Sequence, residues 1–198
     1  MIDPKLSSSE AVFVFADLHK GIVELPLTTT PAELLRAVEG LATLAELFDI
    51  PTFALSIPKL TGEEPEIVPE LSGVRKHYKH LQRTSPDAFE HEAIRDAIAS
   101  TGRRTLVVSG IATEVVVHWL VISGLANGYR VYVVADACGG LGVRSEEAAF
   151  RRFVAAGAIM TSVASLAGEL AGDFTRPIGR AAVEVIYKMI GVPGPRPS

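Results

Sequence analysis

Short apolar runs rich in β-branched and aromatic residues alternate along this chain with longer stretches of helical spacing, and this alternation narrows the fold more than any other feature. Runs at 11–16, 52–56, 105 to about 111, 131–135 and 158–161 suit short strands, several of them apolar on both faces, with a weaker strand near 78–82. Thr30-Pro31-Ala32-Glu33 supplies a capping hydroxyl, a proline at the first helical position and a glutamate three residues past the cap. A helix therefore starts there and runs to about Phe48. Further helices are expected at 90–100, stopped by Gly102, at 113–127, stopped by Asn127-Gly128, at 145–156 with Ser145 as cap, and at 177–190. Strands alternating with helices imply right-handed crossovers. The expected fold is α/β, a three-layer α/β/α sandwich around a mostly parallel, doubly wound sheet.

In such a sheet the carboxyl edge of the strands carries the chemistry, because helices starting there aim free backbone N–H groups at whatever occupies the crevice. The stretch from Thr105 to Val116 reads as a buried strand passing straight into a helix capped by Thr113, with Val116 at the third helical position. Asp17, the region of Arg83, and Asp136 to Cys138 are expected at the same edge. The helix at 113–127 has few charges beyond Glu114 and apolar residues all round, so it should be buried on several sides.

At 198 residues the chain suits one domain, placed at 1–190, with a flexible proline- and glycine-rich tail at 191–198. Nineteen basic against twenty-three acidic residues give a net charge of −4 without a basic cluster, which argues against a nucleic-acid partner and for a small molecule. No apolar run is long enough for a bilayer, and the N-terminus lacks the basic and apolar regions of a signal peptide. No membrane partner and a cytoplasmic location are expected. The single cysteine, Cys138, excludes an intramolecular disulfide and a cysteine-based zinc site. The histidines, His19, His77, His80, His91 and His118, form no convincing metal spacing, and no phosphate loop or dinucleotide fingerprint is present, so neither metal nor cofactor is expected.

Asp17 closes an apolar strand, a costly place for a carboxylate unless it is paired or useful. The bland alternative is a loop anchor. Arg83, just before a helix, reads by itself as a surface arginine; brought to the edge it would hold a carboxylate bidentately and stay protonated, with Lys79 as the alternative base. His19, two residues past Asp17, is placed to line the same pocket. His118 reads as a core or interface histidine, and Cys138 as a small core residue rather than a nucleophile.

The segments Gly110 to Val117, Gly128-Tyr129-Arg130-Val131 and Asp136-Ala137 resemble the signature of the isochorismatase-like hydrolases. Phe48-Asp49-Ile50-Pro51-Thr52 and Val68-Pro69-Glu70-Leu71 are similar to its YcaC-type branch. The likeness implies that Asp17 is the catalytic acid or base, that Arg83 stands where relatives carry a basic residue, usually lysine, and that His19 stands where they often carry glutamine. It further implies that Ile111, Ala112 and Thr113 offer backbone N–H groups as an oxyanion hole, around a peptide that is often cis. Val116 falls in the slot of the usual nucleophilic cysteine. Valine cannot attack a carbonyl, and losing a nucleophile typically leaves only a roughly thousand- to ten-thousand-fold acceleration from binding and the oxyanion hole. The resemblance thus implies a homo-oligomeric hydrolase of a C–N amide or vinyl-ether bond in a small molecule, using Asp17 and water. True isochorismatases also lack the cysteine and move a proton from the aspartate to the vinyl ether. The alternative is a catalytically inactive scaffold that binds a small molecule or a partner.

Overall fold

A computed structural model describes residues 5–74 and 76–194. Six strands form one sheet: β1 (Ala11–Ala16), β2 (Thr52–Ser56), β3 (Tyr78–Gln82), β4 (Thr105–Ile111), β5 (Arg130–Gly139) and β6 (Ile159–Thr161). Their order is β3-β2-β1-β4-β5-β6 and every pairing is parallel. The helices are α1 (Pro31–Leu47), α2 (Glu92–Ala99), α3 (His118–Ala126), α4 (Val143–Ala156), α5 (Val163–Ala171) and α6 (Pro177–Met189). The expected α/β/α sandwich is what forms.

The period of the central strands explains the layers. In β1, Ala11, Phe13 and Phe15 pack into a core shared with α1, α5 and α6, while Val12, Val14 and Ala16 pack into a second core with α2, α3 and α4. Both faces are covered, so β1 is apolar at every position. The chain leaves β1 toward β2 on one side, and β4 enters on the other. The sheet thus reverses direction between β1 and β4, which opens a crevice at their carboxyl ends.

Gly110 permits this join. It adopts φ +133, and a Cβ there would stand 2.1 Å from the Ala16 carbonyl oxygen, so no side chain fits where β4 closes against β1.

Several local expectations are corrected. β5 does not end at Asp136 but runs on to Gly139, because after a shift in register it pairs again with β4, Cys138 opposite Gly110 and Gly139 opposite Ile111, while the Asp136 carboxylate accepts the Val163 N–H at the start of α5 at 3.0 Å. Helix α5 itself lies outside the elements expected from the pattern. Thr113 and Ser145 are not helix caps. Ala112 and Gly142 take those places, and both hydroxyls donate instead to glutamates, Thr113 to Glu146 and Ser145 to Glu114. The helix expected at 113–127 begins as a π-helical turn, Thr113–Val117, with Val116 in its fourth place rather than the third. The stretch at 90–100 divides into a short 3₁₀ turn, Ala88–Glu90, and α2. Of the expected tail, Gly191 and Val192 donate to the Lys188 and Tyr187 carbonyls, while 195–198 lie outside the described residues, as do residues 1–4 of the N-terminal segment read for a signal peptide.

Candidate functional site

Asp17 follows β1 directly. Its φ of +51 lies in the left-handed region, which aspartate tolerates better than most residues, and turns the chain out of the sheet at once. The carboxyl group is buried, at 7 % exposure for the residue. Arg83, one residue beyond β3, is buried at 3 % and its Nη2 donates to Asp17 Oδ2. Arg83 Nη1 donates to the Ser85 carbonyl at 2.7 Å, and His91 Nε2 accepts the Thr84 N–H at 3.2 Å, which holds this loop over the edge. Lys79 borders a different hollow with Phe53, His77 and Arg103, so Arg83 is the basic partner of Asp17.

Burial pushes the Asp17 carboxyl above the ordinary aspartate value, while the Arg83 guanidinium and then His19 pull it down. The balance is upward. Burial likewise lowers Arg83 from the arginine value, against the attraction of Asp17. Asp17 Oδ1 is buried and makes no hydrogen bond of ordinary geometry among the described residues, and the Ile57 N–H exerts only the weakest of the pulls on the carboxyl. The protein leaves this oxygen able to accept from an N–H or O–H group.

Asp17 and Arg83 line a cavity of about 350 Å³ together with Ile111, Ala112 and Val116. Its other walls include Ile22, Leu25, Ile57, Pro86, Val115 and Leu141. Two residues expected at the pocket are not among its lining. His19 is buried beside it with Nδ1 3.1 Å from the Lys20 carbonyl oxygen, and its Nε2 is unpartnered. Thr113 turns toward α4, where its hydroxyl donates to Glu146 at 2.7 Å. The Ile111–Ala112 peptide is cis. Beyond it the N–H groups of Val115, Val116 and Val117 converge on the Ala112 carbonyl at 3.1–3.3 Å, so these three amides are engaged within the turn.

The apolar walls were missed from sequence, with one signal overlooked. Ile57 follows β2 as Asp17 follows β1, at the same edge. Leu141 comes from the loop after β5 and carried no comparable mark. Cys138 lies within β5, opposite Gly110, and borders another hollow with Asp136 and Glu146; complete burial raises its thiol to about 12. His118 packs its ring against Trp119 and Phe153, as a core histidine does.

Residues 12–165 match the model of the isochorismatase domain. The probable hydrolase YcaC of Escherichia coli is 29% identical over 175 residues, covering 88% of this chain and 84% of that protein. Its crystal structure, described as an octameric hydrolase of unknown specificity, superposes with a TM-score of 0.84 at 26% identity, covering 95% of this chain and 93% of that one. YcaC from Pseudomonas aeruginosa, solved with hexane-2,5-diol and covalent acrylamide, gives a TM-score of 0.86 at 26% identity over 96% of this chain and 94% of that one. The matched region spans Asp17, Arg83 and the whole β4 junction, and on it rests the assignment that this chain belongs to the isochorismatase family.

Proposed function

We propose that this protein hydrolyses a C–N amide or vinyl-ether bond in a small molecule, with Asp17 as the proton carrier and water as the nucleophile. The observation that carries the reading is the Asp17 carboxyl itself, buried in a cavity, held through Oδ2 by Arg83 and unpartnered at Oδ1. For an amide, Asp17 takes a proton from water as the oxygen adds to the carbonyl carbon and returns it to the departing nitrogen, giving acid and amine. For a vinyl ether, it gives its proton to the alkene carbon, water adds to the resulting oxocarbenium ion and returns a proton to Asp17, and the hemiketal breaks its C–O bond to give a carbonyl compound and an alcohol. Arg83 orients the carboxyl in both cases and, always protonated, does not itself carry the proton. Ile111 and Ala112 form the wall beside the reacting bond, and His19 biases Asp17 toward its ionised form from behind.

Val116 lines the same cavity and stands in the family's nucleophile slot, so covalent catalysis by a thiol is absent from this mechanism. The valine also favours a second reading, a scaffold that binds without turning over. Asp17→Asn separates the two: turnover of an amide or vinyl-ether panel that disappears in the variant supports catalysis, and turnover that is unchanged removes Asp17 from the mechanism. Turnover undetectable in the wild type favours the scaffold.

The exposed apolar residues Val115, which lines the cavity, Trp119 on α3, Phe174 before α6 and Ile178 at its start support assembly of several copies, as in the octameric relative.

A further inference from the structure

We infer that the cavity selects an uncharged molecule with a short apolar body and one hydrogen-bond-donating head, and turns away carboxylates. The inference rests on reading this cavity as the active site and names the class of molecule it takes.

Arg83 is the single cation among the lining residues, and its charge is already matched: Nη2 serves Asp17 and Nη1 the Ser85 carbonyl. Two surface lysines are matched too, Lys20 with Glu66 at 3.2 Å and Lys59 with Glu63 at 3.5 Å. A carboxylate entering the cavity would lose its hydration and set a second anion beside Asp17, with no unmatched cation among the described lining residues to receive it; His19, which already acts on Asp17, is not part of that lining. The buried acceptor Asp17 Oδ1 needs the opposite kind of partner, an N–H or O–H group. An amide or an alcohol supplies one without a charge. Thr84 and Ser85 also line the cavity, but the Thr84 N–H is directed at His91 and the Ser85 hydroxyl at the Asp87 carbonyl, and the rest of the wall is largely aliphatic, from Ile22, Leu25, Ile57, Pro86, Val115 and Leu141. At about 350 Å³ the space lies near the lower end of the roughly 300–1,000 Å³ that ligand sites occupy, so the apolar body is short.

Hexanamide and hexanoate share a chain and differ in the head, and titration calorimetry of the purified full chain with each at neutral pH tests the inference. Hexanamide is expected to bind at least ten-fold more tightly. Asp17→Asn frees the Arg83 charge, so in that variant hexanoate should gain at least ten-fold relative to hexanamide. Hexanoate binding as tightly as the amide in the wild type, binding of neither molecule, or an unchanged ratio of the two affinities in Asp17→Asn overturns the inference. The wild-type pair decides by itself should the variant not fold. Ammonia release, followed in the same samples, keeps the two readings apart. Preference for the amide without hydrolysis counts only against the amide branch of the catalytic reading, and amide hydrolysis with preference for the carboxylate defeats only this inference.

Discussion

At the scale of single residues, the buried Asp17–Arg83 pair carries the proposed chemistry and ties it to stability. General acid–base groups typically contribute a hundred-fold or more, so Asp17→Asn should lower turnover at least ~100-fold in a steady-state assay. Arg83→Met leaves a buried carboxylate alone and should cost about 3–5 kcal/mol in urea unfolding at neutral pH. Because burial raises Asp17 in the folded state, its contribution to stability is fully present below the unfolded aspartate value. It is lost as pH rises through the folded value. The Arg83→Met deficit should therefore shrink in acid. Gly110→Ala places a methyl group against the Ala16 carbonyl and should cost ~3–5 kcal/mol by the same measurement. Asp17 was legible in the sequence because a carboxylate ending an apolar strand demands a reason. Arg83 was not legible from its surroundings alone, since nothing local distinguishes it from a surface arginine; its partner lies 66 positions away.

At the scale of elements, local signals succeeded where the partner was local. The capping box of α1 forms as the sequence implied, with Thr30 Oγ1 accepting the Glu33 N–H at 3.3 Å and Glu33 accepting the Thr30 N–H at 3.1 Å. Thr30→Ala should cost ~1 kcal/mol. The Thr30 contacts hold Glu33 below the ordinary glutamate value, so its stabilising effect is present above the unfolded value and fades as pH falls through the folded one. Thr113 and Ser145 look equally like caps, yet each hydroxyl is taken by a glutamate about thirty positions away, which no local pattern announces. Asp136 misled for the same reason. Its use to α5 lies beyond the apolar run it interrupts, while α5 itself was announced by Ser162, the cap that accepts the Ser165 N–H before apolar residues at helical spacing. Val116→Cys tests the turn that follows β4. It should gain a covalent acrylamide adduct by intact-mass spectrometry, while the wild type stays unmodified because Cys138 is buried and its thiol lies at about 12.

At the scale of the molecule, alternation alone sufficed for the sandwich, because strands apolar on both faces leave helices no other place to go. The order of strands was not legible, and with it the reversal of strand order between β1 and β4 that brings Asp17 and Ala112 to one cavity. Assembly is the property most open to measurement. Analytical ultracentrifugation should show a homo-oligomer, and Trp119→Glu, which puts a charge on an apolar residue 41% exposed on α3, should lower its mass. The hydroxyl of Thr113 has a wider reach than its one bond suggests. By fastening the start of the π-helical turn to α4, it makes the cavity wall answerable to a helix on the rim of a neighbouring hollow. Glu146→Gln keeps the size of that anchor but removes its charge, and should change substrate KM although Glu146 touches nothing in the cavity. A family member can thus retune what it accepts by drift in a place where no ligand ever sits.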